Sequence, residues 1–124
     1  MPTRITIKAG GTSFAAELND SESAAAFAKV LPTTIRMSRW GDEYYGNCGI
    51  SVSQSADARD ETKVGELALW PPGNALCIFF GPTPASRGSE PRAASPVNPI
   101  GKLLDSPDPL RKMGSSISAE IALG

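Results

Sequence analysis

The chain has 124 residues, 40% of them hydrophobic and 20% charged, with a formal net charge of −1. That length suits one domain with a core of its own, and the balance is that of neither a disordered nor a membrane-embedded chain. Without clustered Lys and Arg no nucleic-acid partner is expected, and the absence of histidine excludes Ser–His and Cys–His nucleophile pairs and the usual zinc sites.

Residues 4–8 alternate, with Ile5 and Ile7 on one face, and residues 13–18 alternate again with Phe14, Ala16 and Leu18 inward. Gly10-Gly11 between them is a tight-turn signal, so the pair reads as a hairpin with one buried face. The opening residues show no charged leader before a long apolar segment, and no apolar run approaches a membrane span, so a cytoplasmic location is the expectation. A helix is predicted next. Asn19 is its cap, with Glu22 three positions on in a capping-box pattern. Ala24, Phe27, Ala28 and Leu31 form one apolar stripe, and Pro32 stops the helix.

Residues 33–40 read as a strand with Ile35 and Met37 on one face, and residues 41–46 as a turn of aromatic character. Ile50 and Val52 flank a short strand, and residues 53–63 are polar enough to be a loop. Residues 66–70 form a strand ended by Pro71-Pro72-Gly73. Residues 74–80 are the best candidate for a strand buried on both faces. Residues 81–99 carry Pro82, Pro84, Pro91, Pro96 and Pro99; proline lacks the N–H that a ladder needs, so this stretch is read as ordered loop. Residues 100–104 suit a strand, residues 107–113 a short helix capped by Ser106, and residues 116–123 a last alternating strand. Short strands with regular turn signals favour a closed antiparallel barrel, here with two capping helices, or a sandwich.

Of the two cysteines, Cys77 lies in an apolar run and reads as a small buried hydrophobe, and both are expected as reduced thiols. Asp57, Asp60 and Glu61 read as a solvated loop face, without the ligand spacing of a cation site. Trans is the expectation for the prolyl bonds of Trp70-Pro71-Pro72. No cofactor and no metal are expected.

This order of elements resembles the cyclophilin fold. Phe14-Ala15-Ala16-Glu17-Leu18 with the helix after it resembles a cyclophilin start, and Ile100-Gly101-Lys102-Leu103 with the late helix and last strand a cyclophilin end. Three blocks are similar to a small prokaryotic branch of cyclophilin-like proteins of unassigned function. They are Arg39-Trp40-Gly41-Asp42-Glu43-Tyr44-Tyr45, the long run from Trp70-Pro71-Pro72-Gly73-Asn74 through Ala75-Leu76-Cys77-Ile78-Phe79-Phe80 to Gly81-Pro82-Thr83-Pro84, and Ser95-Pro96-Val97-Asn98-Pro99-Ile100-Gly101-Lys102. The resemblance implies a single cyclophilin-like domain over residues 1–124 and a cleft on the outer wall or at the mouth of the barrel. It implies peptidyl-prolyl isomerase chemistry only in part. Arg39 or Arg36 stands for the catalytic arginine, but no Gln lies in residues 75–80, the Trp and His before the Gly-Lys strand are missing, and Val97 stands near the place of that His.

Isomerisation crosses an amide-rotation barrier of about 18–20 kcal/mol, which a guanidinium lowers by favouring the twisted amide. Arg39 is therefore the candidate catalytic residue, and Trp40, Glu43, Tyr44, Tyr45, Asn74, Phe79 and Phe80 are the candidate binding residues. The competing assignments are an Arg39 ion pair with Asp42 or Glu43, core packing of the aromatics, and a turn hydrogen bond for Asn74. Phe79 and Phe80 point to opposite faces of one strand. The expected function is a non-catalytic module for a peptide or small-molecule ligand; the alternative is a weak or specialised isomerase using Arg39.

Overall fold

A computed structural model describes residues 2–124. Its strands are β1 (Thr3–Ala9), β2 (Thr12–Leu18), β3 (Thr33–Arg39), β4 (Glu43–Asn47), β5 (Arg59–Glu61), β6 (Glu66–Trp70), β7 (Ala75–Phe79), β8 (Arg92–Leu103) and β9 (Ser116–Leu123). Two short helices, α1 (Glu22–Ala28) and α2 (Asp108–Arg111), lie between β2 and β3 and between β8 and β9. The strands form one antiparallel sheet in the order β2-β1-β9-β3-β4-β7-β6-β8-β5. A further pairing of β2 with β8, Ala16 opposite Leu103 and Leu18 opposite Gly101, completes a ring of hydrogen bonds. Among the described residues, no helix is long and apolar enough to cross a membrane.

Period-two alternation fills the inside of the ring. Ile5, Ile7, Phe14, Leu18, Ile35, Met37, Leu67, Leu69, Leu76, Ile78 and Phe80 are buried there with Tyr44. A second, smaller apolar cluster lies on the other side of the same sheet: Ala68, Cys77, Phe79, Ala93 and Val97, with Trp70 packed against it. A strand buried on both faces reads as a continuous apolar run, and β7, Ala-Leu-Cys-Ile-Phe, is buried at every position.

Several boundaries differ from those expected. The helix cap is Ser21, whose Oγ accepts from Ala24 N–H at 3.1 Å. Asn19 instead accepts from Ser21 N–H and donates to the Pro99 carbonyl. The turn after β3 needs only Gly41-Asp42, because Trp40 N–H donates to the Glu43 carbonyl; the residues read as an aromatic turn therefore belong to β4. Ile50 and Val52 pack against the core without a ladder partner, and the polar stretch 53–63 contains β5. Asp57, Asp60 and Glu61 do face solvent, and Asp60 and Glu61 are in addition paired with Arg92. The Trp70-Pro71-Pro72 bonds are trans, and the cis bond found among the described residues is Leu31-Pro32.

The largest difference is β8, which enters the stretch read as proline-rich loop. Its prolines sit where the ladder is irregular. Pro99 lies opposite Ala68 at a register shift that leaves Ile100 without a cross-strand partner on β6, and Pro96 lies within the shifted pairing with β5. A bulge removes the need for the N–H that proline lacks. β8 thereby divides in two. Residues 98–102 pair with β6 in the ring, and residues 92–97 leave it to pair with β5. Asn98 stands at the division, fully buried. Its amide donates to Ser23 Oγ and the Ser53 carbonyl and accepts from Ser55 N–H, tying α1 and the chain before β5 to the ring.

Candidate functional site

Where the first half of β8 leaves the ring it passes over the outer face of β4, β7 and β6, and a cavity of about 260 Å³ lies between them. The sheet register decides which side chains meet there. Glu43 is opposite Phe79 and Tyr45 opposite Cys77; Cys77 is in turn opposite Ala68, and Ala75 opposite Trp70. Side chains alternate between faces, so Glu43, Tyr45, Cys77 and Trp70 share the outer one. Trp40, just before the turn, closes one side of the cavity, and Ala93, Ala94 and Val97 of β8 close another.

The aromatic walls are held in place. Trp70 Nε1–H donates to Ser95 Oγ at 2.7 Å, which joins the end of β6 to the departing half of β8. Its ring lies so close over Gly73 that a Cβ there would be 2.7 Å from Cε3, so any larger residue would displace the indole. Tyr45 is 37% exposed and forms the open rim.

Glu43 is different in kind. It is 4% exposed, and among the described residues its Oε1 has no hydrogen-bond partner. Removal from water raises its pKa from 4.5 to about 7, with a hydrogen bond from the Cys77 thiol acting in the opposite direction. Burial, and then the charge of Glu43, push the Cys77 thiol well above its ordinary range, so Cys77 stays a neutral donor beside the carboxyl. Both cysteines are free and buried.

The other sequence-predicted residues lie elsewhere. Arg39 has the inward parity of Ile35 and Met37 and lies at one end of the ring, 5.8 Å from the Tyr44 ring and 5.0 Å from the Phe80 ring. Its Nε donates to the Gly41 carbonyl, its Nη1 to the Arg111 and Met113 carbonyls and its Nη2 to Asp42 at 2.9 Å. It thus pins α2 and the turn after it over the end of the ring, and the Asp42 pairing weighed in the sequence is part of that. Tyr44 stacks on Phe80 at 5.6 Å on the inner side, and its hydroxyl donates to the Gly114 carbonyl. Phe79 is on the outer face but wholly covered, as one base of the second cluster. Asn74 adopts the left-handed conformation after Pro71–Gly73, and its carbonyl accepts from Cys48 N–H. The eight candidates therefore divide between two faces, with Trp40, Glu43 and Tyr45 at the cavity. Trp70, Cys77, Ala93, Ala94 and Val97 were missed as lining residues. The parity of Cys77 and Trp70 on their strands was readable, but the return of β8 over them was not.

With a nine-stranded antiparallel sheet among the described residues, eight strands of which close a hydrogen-bonded ring, and a cavity on its outer wall, the chain belongs to the cyclophilin-like family, whose model matches residues 3–122. It is similar to a hypothetical protein from Archaeoglobus fulgidus known from its solution structure, with 32% identity and a TM-score of 0.83. The match covers 99% of this chain and 95% of that one. No curated protein matches this chain.

Proposed function

We propose that this protein is a non-catalytic binding module, a closed cyclophilin-like β-barrel that seats a peptide or small-molecule ligand in its outer-wall cavity. The observation that carries this reading is the pairing of an apolar, aromatic-walled cavity of about 260 Å³ with a buried carboxyl oxygen that has no partner among the described residues. Ligand sites are concave and mostly apolar with a few convergent polar groups, and an orphaned buried acceptor is what a ligand donor would complete. Isomerase chemistry would require a cationic donor directed at a twisted amide. The Arg39 guanidinium makes four bonds to protein acceptors, and among the described residues no lysine or arginine lines the cavity.

The test is NMR of a proline-containing peptide mixed with the protein, reading the peptide's cis/trans exchange together with the two tryptophan indole N–H signals. Saturable shifts of the Trp40 and Trp70 indoles without faster exchange are expected. Exchange that accelerates, and that Arg39→Ala abolishes, would overturn the non-catalytic reading in favour of an isomerase.

A further inference from the structure

The lining of the cavity has a sign. Trp40, Tyr45 and Trp70 present aromatic surface, whose ring faces attract cations, and Glu43 lies among them with Oε1 unpartnered. The remaining lining groups are a thiol and small apolar side chains, so nothing in the lining neutralises a Glu43 carboxylate. The nearby arginines are engaged elsewhere. Arg39 holds carbonyls on the other face, Arg92 holds Asp60, Glu61 and Glu90, and Arg111 lies beside Asp42 and Asp108. A buried charge without a partner is costly, so a cation that enters both relieves that cost and gains the aromatic faces. A carboxylate or phosphate ligand would meet Glu43 as a like charge. About 260 Å³ is below the roughly 300–1,000 Å³ typical of pockets that enclose a whole drug-sized ligand, so a compact head group fits better.

We infer that the cavity binds a small organic ammonium ion, an alkylated amine held between Trp40, Tyr45 and Trp70 with Glu43 as its counter-charge. This rests on the binding reading above and names its ligand class. Binding draws on the ionised form of Glu43, so affinity is lost as that carboxyl is protonated. The titratable groups facing it are the Tyr45 phenol on its own strand and the Cys77 thiol on β7. The lining side chains of β6, β8 and the β3–β4 turn (Trp70; Ala93, Ala94 and Val97; Trp40) do not titrate.

The probes are choline and its uncharged isostere 3,3-dimethylbutan-1-ol, titrated against tryptophan fluorescence and the two indole N–H signals. At pH 8 choline is expected to saturate at least tenfold more tightly than the alcohol, and its affinity to fall about tenfold for each pH unit below 7. Glu43→Gln is expected to remove both the preference for choline and the pH dependence. Tyr45→Leu, at an exposed position that leaves the core intact, is expected to weaken choline several-fold and the alcohol by less, so that the preference for choline shrinks. Equal affinities for choline and alcohol in the unmodified protein would overturn the ammonium assignment and leave a binding cavity. So would saturable shifts with a proline-containing peptide but none with choline. No saturable indole shift with choline, the alcohol or the peptide would overturn the assignment together with the binding reading.

Discussion

Protonation of Glu43 is coupled to folding. The folded protein holds the Glu43 proton up to about pH 7, whereas the ordinary value is 4.5, so between those values the folded state binds more protons than the unfolded chain. Stability therefore falls as pH rises from about 4.5 to 7, by about 3 kcal/mol in all, and this group contributes no further change above that. Urea unfolding across this window is expected to show the decline, and Glu43→Gln to flatten it; an unchanged slope in the variant would place its origin elsewhere. The carboxyl of Glu90 lies at about 2, held down by backbone N–H groups, so its linkage falls below pH 4.5 and does not overlap. In the sequence Glu43 is one acid in a run of turn-like residues. Its parity on β4 was legible once that strand was drawn. Its burial was not, because the covering residues come from Trp40 and from β8, about 50 positions further along.

At the scale of elements, β8 decides whether the cavity exists. Its first half pairs only with β5, a three-residue strand, so few ladder hydrogen bonds hold this roof. The Trp70–Ser95 hydrogen bond and Arg92 supplement them. Arg92 reaches Asp60 at 3.1 Å, Glu61 at 3.2 Å and Glu90 at 3.1 Å. Removing the shared cation leaves three carboxylates close together at the junction of β5 and β8. Arg92→Ala is therefore expected to speed amide exchange in residues 59–61 and 92–97 while β1, β3 and β9 keep their protection. Uniform protection in the variant would show that the roof holds without the Arg92 ion pairs. Five prolines in residues 81–99 argued for loop, and by donor accounting that was sound. The strand forms nonetheless because both of its partners shift register where Pro96 and Pro99 fall, an accommodation that only the partner strands can provide.

The whole molecule depends on a closure that no neighbouring segment specifies. β2 and β8 are joined at Ala16–Leu103, Glu17–Lys102 and Leu18–Gly101, and Gly101 is also opposite Leu67 of β6. A Cβ at Gly101 would come within 2.1 Å of the Glu17 carbonyl oxygen, a backbone atom that cannot rotate aside. Gly101→Ala is accordingly expected to destabilise the fold by about 2 kcal/mol or more, as over-packing against fixed structure does, read as a lower urea midpoint with loss of amide protection centred on the β2–β8 seam. An unchanged midpoint would mean that the ring tolerates local opening there. The sequence by itself determined the mainly β character, the inward residues of β1, β2, β3 and β9, the two-sided burial of β7 and the two helices. Each of these is written in local periodicity, caps or turn residues, which depend on neighbours a few positions away. Tertiary structure alone decided the ring closure, the division of β8, the structural engagement of Arg39 and the assembly of Trp40, Glu43, Tyr45 and Trp70 around one cavity. These rest on contacts between segments tens of residues apart, where register and bulges, rather than the residue type at any single position, choose which side chains meet.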